Sequence, residues 1–483
     1  MLAVLRLYVA AAVLVVCGVL ALGASAAPLR TQGLRSTPAT LPLRTALIDP
    51  VFSGPQQQNA FQLARGTGAT YVELPASWRS LAPARREPGF TPTDPASPGY
   101  SWGPLDATVT AAEAAGLNPI LQIVGAPAWA LRVPAKGVGA GTPRARALGD
   151  FARALATHYD GLHGAPRVEV YEVWNEPNLS LDLSPVSAAS YRAMVNAVSD
   201  AVHAVDPSNV VVAGGLDPFE HRTAHWYTQA PLAFMRSLLC LSKGAHPHPT
   251  CRAQVRFDVW SHHPYTFNGP FGHAKRPDDV SLGDLPRMRA LLAAAVRLHR
   301  IVSVHPVQFW VTEFGWDTSP PRRHAAPMAL AVRWTAEALY QMWRSGVSLV
   351  TWFDFVDQPG LSPYQSGLYF YARSLAAARP KPVLTAFRFP FVAYLAHGRV
   401  SLWGRDPTST KVVVTIERRR GARGPWRAVA RVASNRFGVF TARLQGPLSE
   451  RDWLRATVPR SGASAPFSLA RPPANLRYGP WGN

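Results

Sequence analysis

One pattern constrains this chain more than any other. A short β-rich run, a polar or Pro/Gly loop and a helical stretch recur eight times between Thr45 and His397. The β-runs fall at residues 45–49, 69–74, 119–124, 168–174, 209–213, 257–261, 307–312 and 347–352. Helical periodicity fills gaps such as 105–115, 144–159, 188–205, 285–302 and 325–344, and an eighth helix is expected over 384–396. Apolar strands alternating with helices make a parallel sheet covered on both faces, and eight is the number that closes it. The fold class expected is therefore α/β, a (β/α)8 TIM barrel over residues 45–397.

Beyond His397 the grammar changes. Alternating strands at 411–417, 426–432, 438–443 and 454–458, separated by Gly-, Pro- and Arg-rich turns, argue for a C-terminal β-sandwich, an Ig-like accessory domain over 398–483. The run Arg418-Arg419-Arg420 is expected to cap a hairpin in solvent, with contact to an anionic glycan as the alternative.

At the other end, Arg6 precedes an apolar run over 7–22 and the small-residue site Ala24-Ser25-Ala26, the parts of an export signal over 1–27. An uncleaved anchor helix is the competing reading. A Pro/Thr/Arg-rich linker follows over 28–44, and no later segment is apolar for long enough to span a membrane. The expected location is secreted, extracellular or at the cell surface. Of three cysteines, Cys17 lies in the signal, so Cys240 and Cys251 are expected to form a disulfide in an oxidising compartment. His246 and His248 between them lack metal-ligand spacing, so no metal site is expected.

The chain carries 50 Lys+Arg against 29 Asp+Glu, a formal charge of +21, but only Lys136, Lys243, Lys275, Lys381 and Lys411 are lysines. Arg excess without a basic block or a recognition motif points away from nucleic acid. Beside an export signal, the charge suits an anionic cell-wall polymer as partner, or reflects coding bias with no function.

In a barrel of this type functional groups belong at the C-terminal ends of strands. Strand four runs into Trp174-Asn175-Glu176-Pro177-Asn178, and strand seven into Thr312-Glu313-Phe314-Gly315-Trp316. Two carboxylates facing across a barrel mouth are what glycosidic cleavage requires: one protonates the leaving oxygen and the other attacks the anomeric carbon. Trp129 and Trp316 are the candidate walls of a sugar subsite. Asn178-Leu179-Ser180 fits a glycosylation acceptor formally but adjoins Glu176 and is discounted.

These two motifs resemble the retaining glycoside hydrolases of clan A, in particular the family 5 (cellulase-like) and family 39 (xylosidase-like) branches, over residues 45–397. The resemblance implies Glu176 as acid/base, Glu313 as nucleophile and Asn175 as a contact to the sugar 2-hydroxyl. Strand six ends in His262-His263-Pro264-Tyr265, similar to the clan's His-x-Tyr. That implies His263 against the sugar or the acid/base, Tyr265 holding the nucleophile, and Trp352 as the aromatic floor. It implies a carbohydrate substrate and neither metal nor organic cofactor.

One position departs from the pattern. Where these families carry an Arg that pairs with the nucleophile, strand two has Glu73. A third inward carboxylate raises the pKa of its neighbours. Either Arg79 or another cation compensates, or activity is unusual or absent. The alternative function is a non-catalytic carbohydrate-binding barrel, a pseudoenzyme at the cell surface.

Overall fold

The computed structural model describes residues 41–360, 364–421, 423–473 and 476–481. The expected signal lies outside these residues. Eight parallel strands close into a barrel: β1 (Arg44–Ile48), β2 (Tyr71–Ser77), β3 (Asn118–Val124), β4 (Val170–Val173), β5 (Val210–Leu216), β6 (Val259–His262), β7 (Gln308–Val311) and β8 (Leu349–Phe353). β1 pairs with both β2 and β8, which shuts the sheet. Each strand precedes one principal helix: α1 (Gln57–Arg65), α2 (Gly103–Ala114), α3 (Ala145–His158), α4 (Ala188–Val205), α5 (Pro231–Leu239), α6 (Leu285–Arg297), α7 (Met328–Arg344) and α8 (Val383–Arg388).

Strand alternation sorts the barrel into levels. Ala46, Ile120, Val170, Val212, Val259, Trp310 and Leu349, with Tyr71 against them, form an apolar interior level with one residue from each strand. Two residues further along, the same faces carry Glu73, Gln122, Glu172, Gly214, Ser261, Thr312 and Thr351. The interior thus turns polar one step below the C-terminal mouth.

The eighth helix is shorter than expected. It stops at Arg388 because Pro390 disfavours helical backbone at Phe389 and has no N–H to continue the ladder. Residues Phe391–Ala396 then become strand β9, the first strand of the C-terminal sheets. β9 pairs antiparallel with β10 (Arg399–Arg405), which pairs with β13 (Val439–Gln445). A second antiparallel sheet holds β12 (Arg427–Ala433), β11 (Val413–Arg420) and β14 (Asp452–Val458). Two antiparallel sheets fit a β-sandwich. The Arg triplet is part of β11, not a solvent turn. Arg418 binds Asp452 at 2.9 Å, and Arg419 lies over the rings of Trp426 and Trp453.

Cys240 and Cys251 form the expected disulfide, with Cα atoms 5.3 Å apart. Among the described residues no helix is long and apolar enough to cross a membrane.

Candidate active site

The chain leaves β4 through a sharp turn in which Trp174 and Glu176 both take left-handed backbone, with φ of 71° and 36°. Such conformations cost about 1–3 kcal/mol each for a non-glycine residue and persist where the surroundings over-determine them. Here they do. The Trp174 N–H donates to Ile123 O at 3.0 Å, its indole to Asp182 O at 2.7 Å, and the Glu176 N–H to Gly215 O at 3.1 Å. The turn points the Glu176 carboxyl at His263, whose Nδ1 lies 2.9 Å from Glu176 Oε1.

His263 is fully buried, and its place depends on β5 ending in Gly214-Gly215. A Cβ on Gly214, at φ 119°, would lie 2.2 Å from Ser261 O. One on Gly215, at φ 55°, would press on both Glu172 Oε1 and His263 Nε2 at 3.3 Å. Glu313, just past β7, accepts the Tyr265 hydroxyl at 2.7 Å on Oε1. Its Oε2 lies 3.9 Å from His263 Nδ1. Ligating atoms of Glu176, His263 and Glu313 all fall within 4.8 Å of one another, so the two carboxyls face each other at the barrel mouth. Their side chains keep 14% and 19% of their exposure.

Five of the expected site residues converge here: Glu176, Glu313, Asn175, His263 and Tyr265. Asn175 binds the Asp182 carboxylate and is reached by the Gln122 amide at 3.4 Å. His262 is structural, with Nε2 on Val280 O at 2.9 Å and burial holding its pKa down to about 3. Asn178 is fully buried with its amide bonded to Asp217 O and Gln229 O, so it offers no glycosylation acceptor in the folded chain.

The tryptophans differ from expectation. Trp352 is 1% exposed, its indole N–H on Ser366 O and its ring against Phe314 and Phe387. Leu349 and Thr351 face the barrel interior, so alternation turns Trp352 outward toward α8 and brings Phe353 inward. Phe353 is half-buried at the mouth and meets Tyr364 edge-on at 4.9 Å. Trp316 is likewise packed away, its N–H on Thr266 O and its ring against Phe314 and Trp334. Neither indole offers an open face to a sugar. Trp129 stands half-buried on the loop after β3, bonded to Pro83 O and edge-on to Trp78. Nearby, a cavity of about 640 Å³ opens between the loops after β2, β3 and β4, lined by Arg79, Ala126, Leu131, Ala140 and Leu181 among others.

Arg79 does not compensate for Glu73. It is exposed and lies along Gly125, at the cavity, while Glu73 sits inside the barrel and binds the Thr351 hydroxyl at 3.2 Å.

Several carboxyls around the pair titrate high. Burial, then the charge of Glu313, then that of Asp182 hold Glu176 well above the ordinary range. Burial lifts Asp182 to about 7 and, with Asp49 nearby, Asp354 to about 9. Asp182, Asp354, Phe353 and Tyr364 were not singled out from the sequence; alternation along β8 is the signal that finds Phe353. Trp481 was also missed. It lies against the Tyr265 ring at 5.1 Å, and its segment is tied to the barrel by Asp317 N–H on Pro480 O at 2.8 Å.

A second cluster of metal-ligand type, His203, Asp258 and His305, is a structural knot. Asp258 already accepts from Val211 N, Ser303 Oγ and Val304 N as well as from His203.

No curated protein matches this sequence. Among solved structures, a family 39 glycoside hydrolase from the gut symbiont Bacteroides cellulosilyticus WH2 is similar in fold. Its TM-score is 0.52 at 17% identity, covering 84% of this chain and 80% of that one. The GH39 enzyme from Xanthomonas axonopodis pv. citri is similar at a TM-score of 0.50 and 16% identity, covering 86% of this chain and 93% of that one. The sequence profile described as Cellulase (glycosyl hydrolase family 5) matches residues 30–295, more than half of the chain, a span that includes Glu176, His263 and Tyr265. A closed eight-stranded barrel, with glutamates at the ends of its fourth and seventh strands, thus belongs to the cellulase family of glycoside hydrolases, glycosyl hydrolase family 5.

Proposed function

We propose that this chain is a retaining glycosidase that hydrolyses O-glycosidic bonds, of β configuration, in an oligo- or polysaccharide, with Glu176 as acid/base and Glu313 as nucleophile. The supporting observation is the close approach of the two carboxyls, whose oxygens lie within 4.8 Å. Inverting enzymes keep their carboxyls about 6.5–9.5 Å apart to admit a water, whereas retaining ones hold them at about 5–5.5 Å.

In the first step the Glu176 proton passes to the leaving oxygen while Glu313 attacks the anomeric carbon. The C–O bond breaks and a glycosyl ester forms. In the second, the Glu176 carboxylate takes a proton from water, whose oxygen displaces Glu313. The Tyr265 hydroxyl orients the nucleophile, His263 holds Glu176, and Asn175 is placed for the sugar 2-hydroxyl. Phe353 is the aromatic surface that faces the sugar.

The barrel, expected over 45–397, serves as the catalytic domain and gives way at Phe391 to the accessory sheets, whose first strand is Phe391–Ala396, on a chain exported by its first 27 residues. The net charge of +21 suits work beside anionic wall polymers. The rival, a carbohydrate-binding barrel without turnover, drew its support from Glu73. That carboxyl is bonded to Thr351 below the mouth, and its contact with Glu313 is not a hydrogen bond.

Hydrolysis of a panel of aryl β-glycosides by wild type, Glu176→Gln and Glu313→Gln tests the assignment. Wild type is expected to release the β-anomer first, and azide to restore turnover in the small variants Glu176→Ala and Glu313→Ala, giving glycosyl azides of opposite anomeric configuration. Equal rates in wild type and both Gln variants refute the roles, and first-formed α-anomer refutes retention.

A further inference from the structure

The positive charge of this chain is not spread evenly. Residues 391–483 hold 16 Lys+Arg against 4 Asp+Glu, so the C-terminal sheets carry 12 of the 21 net charges on less than a fifth of the length. A coding bias raises arginine along a whole chain and does not account for that concentration.

Strand alternation gathers part of the charge on one face. Along β11, Val414 and Ile416 are buried, and Thr415, Glu417 and Arg419 face the other way; along β14, Leu454, Ala456 and Val458 are buried, and Trp453, Arg455 and Thr457 face out. The register sets Arg419 across from Trp453 and Glu417 across from Arg455. Trp426 reaches the same face from just ahead of β12. The Arg419 guanidinium lies 4.7 Å from the Trp426 ring and 5.3 Å from that of Trp453, and Arg455 lies 4.4 Å from Trp426.

Packing does not explain these two indoles. Both are half-buried, and neither joins the hydrophobic core beneath the sheet. The carboxylates next to Arg419 are committed elsewhere, Glu417 to Arg455 at 2.6 Å and Asp452 to Arg418 at 2.9 Å. Among the described residues no acid pairs with Arg419, and its Nε is buried without a hydrogen-bond partner. The rings therefore hold a planar guanidinium whose donors match a carboxylate that the chain itself does not supply. An indole beside it offers a flat apolar surface to the C–H face of a sugar ring. A carboxylate carried on a sugar satisfies both.

We propose that the outer face of the sheet of β11, β12 and β14 binds an acidic polysaccharide whose sugar rings bear carboxylates, a polyuronate. Arg419 receives the carboxylate, Trp426 and Trp453 take the ring, and the surrounding arginines meet the next charges along the polymer. The surface tethers the chain to an anionic glycan and does not depend on the roles of Glu176 and Glu313.

Polygalacturonate immobilised on a sensor surface, with the full chain in solution at about 0.15 M salt, provides the test. Wild type is expected to bind it, and to bind dextran, a neutral polymer, about tenfold more weakly or less, the order of one charge-assisted hydrogen bond. Arg419→Gln and Trp453→Ala are each expected to weaken binding about tenfold, with circular dichroism showing that each variant is folded. Arg419→Gln keeps the test open if Trp453→Ala does not fold. Arg297→Gln removes the same charge from the exposed end of α6 and is expected to change binding less than about twofold. Arg419→Lys keeps the charge without the planar fork and is expected to recover only part of the loss. Absence of wild-type binding, equal losses in Arg297→Gln and Arg419→Gln, or full recovery in Arg419→Lys overturns the proposal. Polyglutamate or single-stranded DNA bound as tightly as polygalacturonate overturns the choice of a glycan. Binding is read without turnover, so this failure and that of the glycosidase assignment are separate results.

Discussion

Replacing Glu313 by Gln removes one charge from the site while keeping an oxygen for the Tyr265 hydroxyl, now 2.7 Å away. It therefore isolates the electrostatic coupling between the two carboxyls. Burial is the first cause of the raised pKa of Glu176, and the charge of Glu313 is the second. Taking the 4.8 Å limit on their separation with an effective dielectric of about 20, the coupling between two full charges is 332/(20 × 4.8), about 3.5 kcal/mol. Both side chains are partly open to water, which screens the interaction below that figure, and a fall in the Glu176 pKa is expected. Glu176 should still titrate above an ordinary glutamate, because its burial is untouched. Carbon-13 NMR of glutamate-labelled protein, with Glu176 assigned by difference against Glu176→Gln, follows the titration without any substrate. An unchanged Glu176 titration in Glu313→Gln would show that the two groups do not share a site, and the mechanism built on their proximity would fall with it.

Three further outcomes are expected. Tyr265→Phe deletes a hydrogen bond to a charged carboxylate, worth about 1.5–3 kcal/mol, so kcat/KM should fall by about tenfold to a hundredfold with little change in Tm; a loss under twofold refutes its role on Glu313. Trp352→Ala should lower stability by about 3–5 kcal/mol as a core truncation, whereas Phe353→Ala should act mainly on KM and kcat, and denaturant unfolding beside kinetics separates the two. The Asp354 pKa is raised from 3.8 to about 9, so the native state keeps a proton that the unfolded chain has lost. Its contribution to stability therefore declines as pH rises from about 4 toward 9, by at most about 1.4 kcal/mol per unit. Asp354→Asn should melt above wild type at pH 8 and not at pH 3, and the same Tm difference at both values would refute the buried, protonated assignment.

The barrel was legible because strands buried on both faces read as continuous apolar runs between helical segments, and all eight runs became strands. The eighth helix was over-extended for a related reason. Phe391-Val392-Ala393-Tyr394-Leu395 is apolar enough for either element, and only the antiparallel pairing with β10 decides it. Glu176 and Glu313 stood out because a charged residue at the end of an apolar strand has no packing role to explain it. The family resemblance put Trp352 at the sugar, and the run Thr351-Trp352-Phe353 does not announce its register. A shift of one residue exchanges the inner and outer faces, and Leu349 in the interior level fixes Phe353 as the inward ring. No local signal in the sequence places Trp481 against Tyr265, since that contact joins residues far apart in the chain.

Glu73 shows how depth changes the meaning of a residue type. In the sequence it occupies the place of a cation that would pair with the nucleophile, and a carboxylate there should oppose an ionised Glu313. Strand geometry puts it at a level below the mouth, because residues on one face of a strand are two apart and each step of two rises about 6.6 Å. At that depth it meets Thr351 and Glu172. Burial and the neighbouring Glu172 hold its pKa well up, which favours its neutral form. A neutral acid exerts no Coulomb repulsion on Glu313.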